Sequence, residues 1–345
     1  MSRGGAILAS LLATLGRPGW WLLALAGFLV RGGFLVFLLP IVVLPSPLAI
    51  SNLVAPFIVP MALGRIGPET FALGAWAVTG LLAWLLIGGA IAAATDLVLV
   101  RDAAAAAVDE GVASPSVASP SPDAPAAIDA ERHDRVLVAT ILAARLVAWL
   151  PFAAALAIGL VRIVAVTYVE LTRPVEVESA LALRVALGAA GELAVISVAW
   201  LLGELVGGLA SRRIVLDGAP AGRALLAAVG DVVRRPGSTL VPWLVTTTLL
   251  FTILGGTVGA ASVAWSRIIV ALSNRPTDPT TVVISLLTFV AIWLAALILG
   301  GLFAAVRGSV LTFEHVRVRA RTGTFGASVH HRPGDRSLPD RGGSL

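Results

Sequence analysis

The 345-residue chain is 58% hydrophobic and 13% charged, with a mean hydropathy of +0.94. Soluble domains carry about 25% charged residues, so the composition excludes an ordinary soluble domain and places the chain among integral membrane proteins. The 25 basic residues are all arginine, the formal charge is +5 and there is no cysteine. Disulfides, thiol catalysis and thiolate metal sites are therefore excluded. The arginines flank apolar runs, which reads as bilayer orientation and not as nucleic-acid binding.

The expected fold is an all-α integral membrane protein. It has six transmembrane helices arranged as three hairpin units, each preceded by an interfacial amphipathic helix. Residues 6–16 place Leu8, Leu11, Leu12 and Leu15 on one helical stripe, with Ser10, Thr14 and Arg17 on the other side. That pattern fits a helix lying in the headgroup plane. Arg17-Pro18-Gly19 breaks it, and Trp20-Trp21 opens a first span to about Leu39, with tryptophan at aromatic-belt depth. Residues 40–66 are apolar but hold Pro40, Pro45, Pro47, Pro56 and Pro60. Proline at that density forbids one regular helix, leaving a hairpin connector or a lid over a cavity. The second span, Phe71 to Ala94, closes a first unit of residues 1–100.

Residues 101–131 are rich in alanine, serine, proline and acids, which predicts a disordered cytoplasmic linker. The second unit covers 132–216. Its apolar run from Val136 to Val169 is too long for one ordinary span. Aligning Arg145-Leu-Val-Ala-Trp149 with Arg17-Pro-Gly-Trp20 divides the run into a surface helix over 132–146 and a third span from Val147 to Val169. The fourth span is Leu181 to Leu209. The third unit, 217–316, has a surface helix over 222–235, with Leu225, Leu226, Val229, Val232 and Val233 opposite Arg223, Asp231 and Arg234. Its spans are Thr239 to Val263 and Thr281 to Val306. Residues 317–345 are expected to be a disordered cytoplasmic tail.

Most arginines fall on one side if both termini are cytoplasmic, the orientation expected in a bacterial cytoplasmic membrane. The Gly-Gly pairs at 88–89, 207–208 and 300–301 suit close helix packing. The repeated pattern of surface helix, Arg-Pro-Gly break, hairpin of spans and closing Val-Leu resembles the membrane domain associated with bacterial glycerophosphodiester phosphodiesterases and related uncharacterised polytopic membrane proteins. The resemblance covers most of residues 6–316. It implies an architecture and a lipid connection, and it carries over no catalytic residue, because the soluble phosphodiesterase barrel has no counterpart here.

Charges inside spans are the default place to look for function. Arg31 lies about 17 Å along the first span from Trp20, and Glu204 and Glu192 lie about 12 and 30 Å up the fourth from Arg212. Either glutamate is within the depth range of Arg31. Together the three form one structural ion pair or a polar pathway or headgroup pocket. Arg17, Arg145, Arg212, Arg213, Arg234 and Arg235 form a headgroup-facing basic belt, attractive to anionic lipid at about 1 kcal/mol per charge. Arg162 and Glu170 are interfacial anchors near the outer end of the third span. His133, His315, His330 and His331 all fall in segments expected to be cytoplasmic, and no HExxH, GxSxG or Walker A pattern is present. Asp217-Gly218 with Ala221 and Arg223 lacks the spacing and downstream aspartates of a CDP-alcohol phosphotransferase.

The expected function is therefore non-enzymatic: a lipid-interacting or partner-binding membrane module, with no catalytic, metal or cofactor residue. Its expected partners are membrane lipids with anionic headgroups, or a protein in the membrane or cytoplasm. The alternative is a permease or export subunit with a polar path through Arg31, Glu192 and Glu204.

Overall fold

The structure is a computed structural model, and residues 3–41, 67–112, 127–172, 181–273 and 279–322 are described. Of these, 94% are helical, and the described residues include no strand. Six helices are long and apolar enough to cross a membrane: Pro18–Leu38, Pro68–Asp109, Glu131–Glu170, Ala190–Asp217, Pro236–Ser273 and Pro279–Arg321. The proline-rich segment, read as connector or lid, lies outside the described residues from 42 to 66.

Helix α1, Arg3–Leu15, is followed by α2, Pro18–Phe28, with Pro18 in its first turn. A proline there loses no hydrogen bond, because the first amides of a helix have no intrahelical acceptor. A π-helical turn over Leu29–Gly33 joins α2 to α3, Phe34–Leu38. Inside that turn Gly32 has φ +100, a conformation open to glycine and rarely to other residues. Helix α4, Pro68–Ala83, passes through a second π turn, Trp84–Gly88, into α5, Gly89–Asp109. Helices α6, Ala127–Ala148, and α7, Leu150–Thr172, meet at Trp149. Helices α8, Leu181–Gly188, and α9, Ala190–Asp217, follow, and Gly218 in the left-handed region caps α9. The chain closes with α10, Ala221–Arg234, α11, Pro236–Ser273, and α12, Pro279–Thr322.

Helix α12 is the axis of the bundle, packed by α11, α2, α1 and α5, while α9 gathers α6, α7 and α10. Gly301 sets the closest approach: a Cβ there would lie 2.7 Å from the Trp21 carbonyl oxygen. Where α12 meets α11, by contrast, Leu250, Leu254 and Ala296 bury conventional side chains.

Three expectations are corrected. Residues 101–112 are not a disordered linker. Helix α5 continues to Asp109 and buries Ala103, Ala106 and Ala107 against Ala6, Ala9 and Ala13 of α1. The alanine run that reads as low complexity is a good helix former, and its small side chains admit close contact. Helix α6 likewise covers 127–131, and α12 carries on past Val316 to Thr322, so the start of the predicted tail is also helical.

Second, Ser10 and Thr14 of α1 are not on a wet face. Both are fully buried, and the Thr14 hydroxyl lies 2.8 Å from that of Ser309. Leu8, Leu12 and Leu15 point out of the protein. Helix α10 repeats this arrangement, with Ala224 and Ala228 buried and Leu226, Val229 and Val233 exposed. Small residues are the fully buried ones, with Leu225 and Val232 of α10 packed beside them, and the remaining large apolar side chains face away.

Third, α6 is part of the bundle. The register along α9 carries across the break, with Gly159 against Ile196, Gly203 against Ala148 and Trp149, and Gly207 against Arg145. Backbone bonds from the Trp149 amide to Arg145 and from Ala153 to Trp149 keep the two helices joined.

Candidate functional site

The exposed large apolar side chains form a band. It runs from Val147 to Val169 on α6–α7, from Leu183 to Leu202 on α8–α9, and from Val283 to Ile298 on α12. Val147 to Val169 spans about 33 Å of helix, close to the roughly 30 Å of a hydrocarbon core. The band ends just short of Arg145, Glu204 and Arg307. Those residues belong to one polar cluster, at the end of the band nearest α1 and α10.

Six charged side chains meet there from five different helical segments or turns. The Arg31 Nη2 donates to Asp96 Oδ1 at 2.5 Å and to the Ala92 carbonyl at 3.4 Å. The other Asp96 oxygen pairs with Arg145 Nη2. Arg145 Nη1 lies 3.8 Å from Glu204 Oε1, and Arg307 Nη2 donates to Glu204 Oε2 at 3.1 Å. Arg212, only 5% exposed, donates to the Gly208 carbonyl at 2.6 Å, the Gly308 carbonyl at 2.7 Å and the Thr312 hydroxyl at 3.1 Å. All its acceptors are neutral. Each carboxylate thus bridges two guanidiniums, and two positive charges are left over.

The local fold explains the convergence. The π turn carries Arg31 at the point where α2 passes α5, and Gly27 gives the room, since a Cβ there would lie 2.8 Å from the Thr95 hydroxyl. Gly207, 3.5 Å from Arg145 Cγ by the same measure, lets α6 bring its arginine across α9. Gly308 leaves its carbonyl accessible to Arg212. Burying any one of these charges unpaired would cost several kcal/mol, so the network is stable only as a set.

The cluster lines a partly enclosed cavity of about 310 Å³. Trp149, Trp200 and Trp243 wall it. Leu35, Val36, Leu250 and Phe251 form its side toward the apolar band. Among the described residues, Arg31 Nε, Arg145 Nε, Arg145 Nη1 and Trp149 Nε1 are buried donors without a hydrogen-bond acceptor.

Of the residues singled out from sequence, Arg31 and Glu204 enter this cluster. Glu192 does not: it faces Arg162 at 3.6 Å, half-exposed, well up α9. The basic belt divides. Arg145 and Arg212 are turned inward, and headgroup-facing is the wrong description of them. They lie on the faces of α6 and α9 that meet the core, and their charges are held by carboxylates or carbonyls. Arg213 is partly buried, paired with Asp231 at 2.5 Å and near Asp217 at 3.8 Å. Arg17 is half-exposed over the Trp20 ring, 3.9 Å from Asp109, and Arg234 and Arg235 are exposed. Glu170 of the outer pair meets Arg184 at 3.4 Å.

Asp96 and Arg307 were missed. Each is a lone charge in an apolar run, Ala-Thr-Asp-Leu and Ala-Val-Arg-Gly, and counting depth from the outer helix ends would have found them. Asp96 lies about 42 Å from Pro68, and Arg307 about 42 Å from Pro279.

A second charged group lies at the tip of the same end. Asp217 is approached by Arg319, by Arg213 and by His315 Nε2 at 3.7 Å, beside a groove of about 540 Å³ between α9, α10 and α12.

Fold and cavity together define a multi-pass helical membrane protein with a net-positive polar chamber at one edge of its apolar band. The chain matches no family model, no curated protein and no solved structure.

Proposed function

We propose that the protein is a non-enzymatic lipid-interacting module of the bacterial cytoplasmic membrane, with both termini in the cytoplasm. The observation that carries this reading is the cavity of four arginines and two acids, walled by tryptophan, at the end of the apolar band. Anionic headgroups are attracted to such sites, and the apolar wall facing the band suits the start of an acyl chain. The exposed leucine and valine faces of α1 and α10 support contact with lipid at the same level.

The architecture in this reading is three units. Each has a leading helix followed by an ascending and a descending helix: α1 with α2–α5, α6, which packs into the bundle, with α7–α9, and α10 with α11–α12. The lipid connection agrees with the resemblance to the membrane domain beside glycerophosphodiester phosphodiesterases. The exposed arginines Arg234 and Arg235 and the groove at Asp217 leave room for a partner on the cytoplasmic side.

The permease alternative is less well supported. Glu192 stands about 18 Å along α9 from Glu204 and pairs outward with Arg162. Among the described residues, the charges of the cavity gather at one depth, and Arg162–Glu192 and Arg184–Glu170 pair separately farther along the helices.

Native mass spectrometry of the full chain, released from nanodiscs of mixed phosphatidylcholine and phosphatidylglycerol, tests the proposal. Anionic lipid is expected to stay bound, and Arg307→Gln to reduce its retention. Equal retention of both lipids in both proteins would defeat the reading.

A further inference from the structure

We infer that the ligand of the cavity is a phosphomonoester, carried on an inner-leaflet lipid of the phosphatidate type. The inference rests on the lipid-interacting reading above and narrows it to one headgroup chemistry.

Charge balance is the first argument. Arg31, Arg145, Arg212 and Arg307 face Asp96 and Glu204, which leaves two positive charges in a site enclosed by tryptophan and aliphatic side chains. Among the described residues, no other carboxylate lies within 4 Å of these four guanidiniums. The sequence from 42 to 66 contains no acidic residue, so it supplies no balancing charge. A phosphodiester brings one negative charge. A phosphomonoester brings about 1.5 to 2 near neutral pH, which matches the deficit.

The free hydrogen-bonding groups are the second argument. Arg31 Nε, Arg145 Nε and Trp149 Nε1 are buried donors lacking acceptors, while Arg145 Nη1 faces Glu204 Oε1. A buried donor left unsatisfied is costly. The unpaired acceptors on the wall, Asp96 Oδ2 and Glu204 Oε1, already have an ion-pair partner in Arg145. The site therefore calls for a ligand that accepts several hydrogen bonds and donates none. A doubly ionised monoester has three acceptor oxygens and no proton.

Orientation is the third argument. The charged floor lies beyond the end of the apolar band. Leu35 and Phe251, both exposed at the protein surface, open the cavity toward the band. A phosphate on the floor directs an attached chain along those residues into the inner leaflet. At about 310 Å³ the chamber is at the small end of ligand sites. It takes a phosphate and the first carbons of a tail.

The experiment uses the full chain in neutral detergent, titrated with short-chain phosphatidate, phosphatidylglycerol, phosphatidylcholine and glycerol 3-phosphate. At about pH 8 phosphatidate is expected to bind about tenfold more tightly than phosphatidylglycerol, the worth of one further charge-assisted hydrogen bond. At about pH 5, below the monoester's second ionisation near 6, the ratio of the two affinities is expected to collapse toward about one. Protonation of Asp96 or Glu204 would make the site more positive and favour the more highly charged lipid, so it does not account for a falling ratio. Trp149→Phe, which keeps the ring and removes one donor, and Arg145→Gln are each expected to lower the ratio severalfold.

Equal affinity for the two anionic lipids at pH 8, both above phosphatidylcholine, overturns the phosphomonoester assignment and leaves the lipid reading standing. No preference over phosphatidylcholine overturns both. Glycerol 3-phosphate binding as tightly as phosphatidate assigns the site to a soluble phosphomonoester and overturns the lipid half of the inference.

Discussion

Asp96 is the keystone of the charged network, and removing its charge gives an asymmetric result. It holds two guanidiniums, Arg31 at 2.5 Å and Arg145, and its own side chain is only 16% exposed. Asp96→Asn keeps the shape and leaves Arg31 without a carboxylate and Arg145 with Glu204 alone, 3.8 Å away. Breaking a buried pair by deleting one partner costs about 3–5 kcal/mol. The partial opening of the cavity places the expectation at about 3 kcal/mol. Arg31→Met should cost much less, about 1 kcal/mol, because Asp96 keeps Arg145 and the lost desolvation offsets part of the lost attraction. The double variant should be less destabilised than the sum, with a coupling of about 1–2 kcal/mol. Denaturation in mixed micelles, followed through the nine tryptophans, reads all four proteins on one scale. A double variant additive to within about 0.5 kcal/mol, or Arg31→Met as damaging as Asp96→Asn, would refute the bridging role.

Two further outcomes are expected. Gly301→Ala should lower stability by about 1–3 kcal/mol, because its Cβ would press on the Trp21 carbonyl and backbone has little room to give; Gly255→Ala, facing open space, should be neutral or better in the same micelle denaturation. The chain has no cysteine, so a single introduced thiol reports sidedness. A membrane-impermeant maleimide applied to spheroplasts should label Ser273→Cys and spare Asp109→Cys, and the reverse pattern would invert the proposed orientation.

The number and type of spans were legible because hydropathy over about 20 residues is a strong one-dimensional signal. The division of the run at Trp149 was less so: the arginine-to-tryptophan spacing recurs in the chain, but backbone bonds carry the helix through that residue as one stretch, Glu131–Glu170. The pairing of charges was not. Arg31 has Glu204 and Asp96 at similar depth, and depth alone ranks neither. Which one it meets depends on whether α5 or α9 lies against α2, and that is set by Gly27 beside Thr95. The inward turn of Arg145 and Arg212 was hidden for a related reason. An arginine at the end of an apolar run reads as a snorkelling anchor whichever way its face of the helix points. The amphipathic reading of α1 failed at Ser10 and Thr14, because in a membrane protein small polar residues pack inward while leucines face lipid.

Arg212 has a consequence for how the molecule is made. Two of its three acceptors, the Gly308 carbonyl and the Thr312 hydroxyl, belong to α12, as does the arginine that completes Glu204. A ribosome that has delivered α9 but not α12 has therefore released a guanidinium and a carboxylate whose partners are still unsynthesised. The last helix acts as a closing latch, and a chain truncated before it exposes a charge defect that membrane quality control is equipped to recognise.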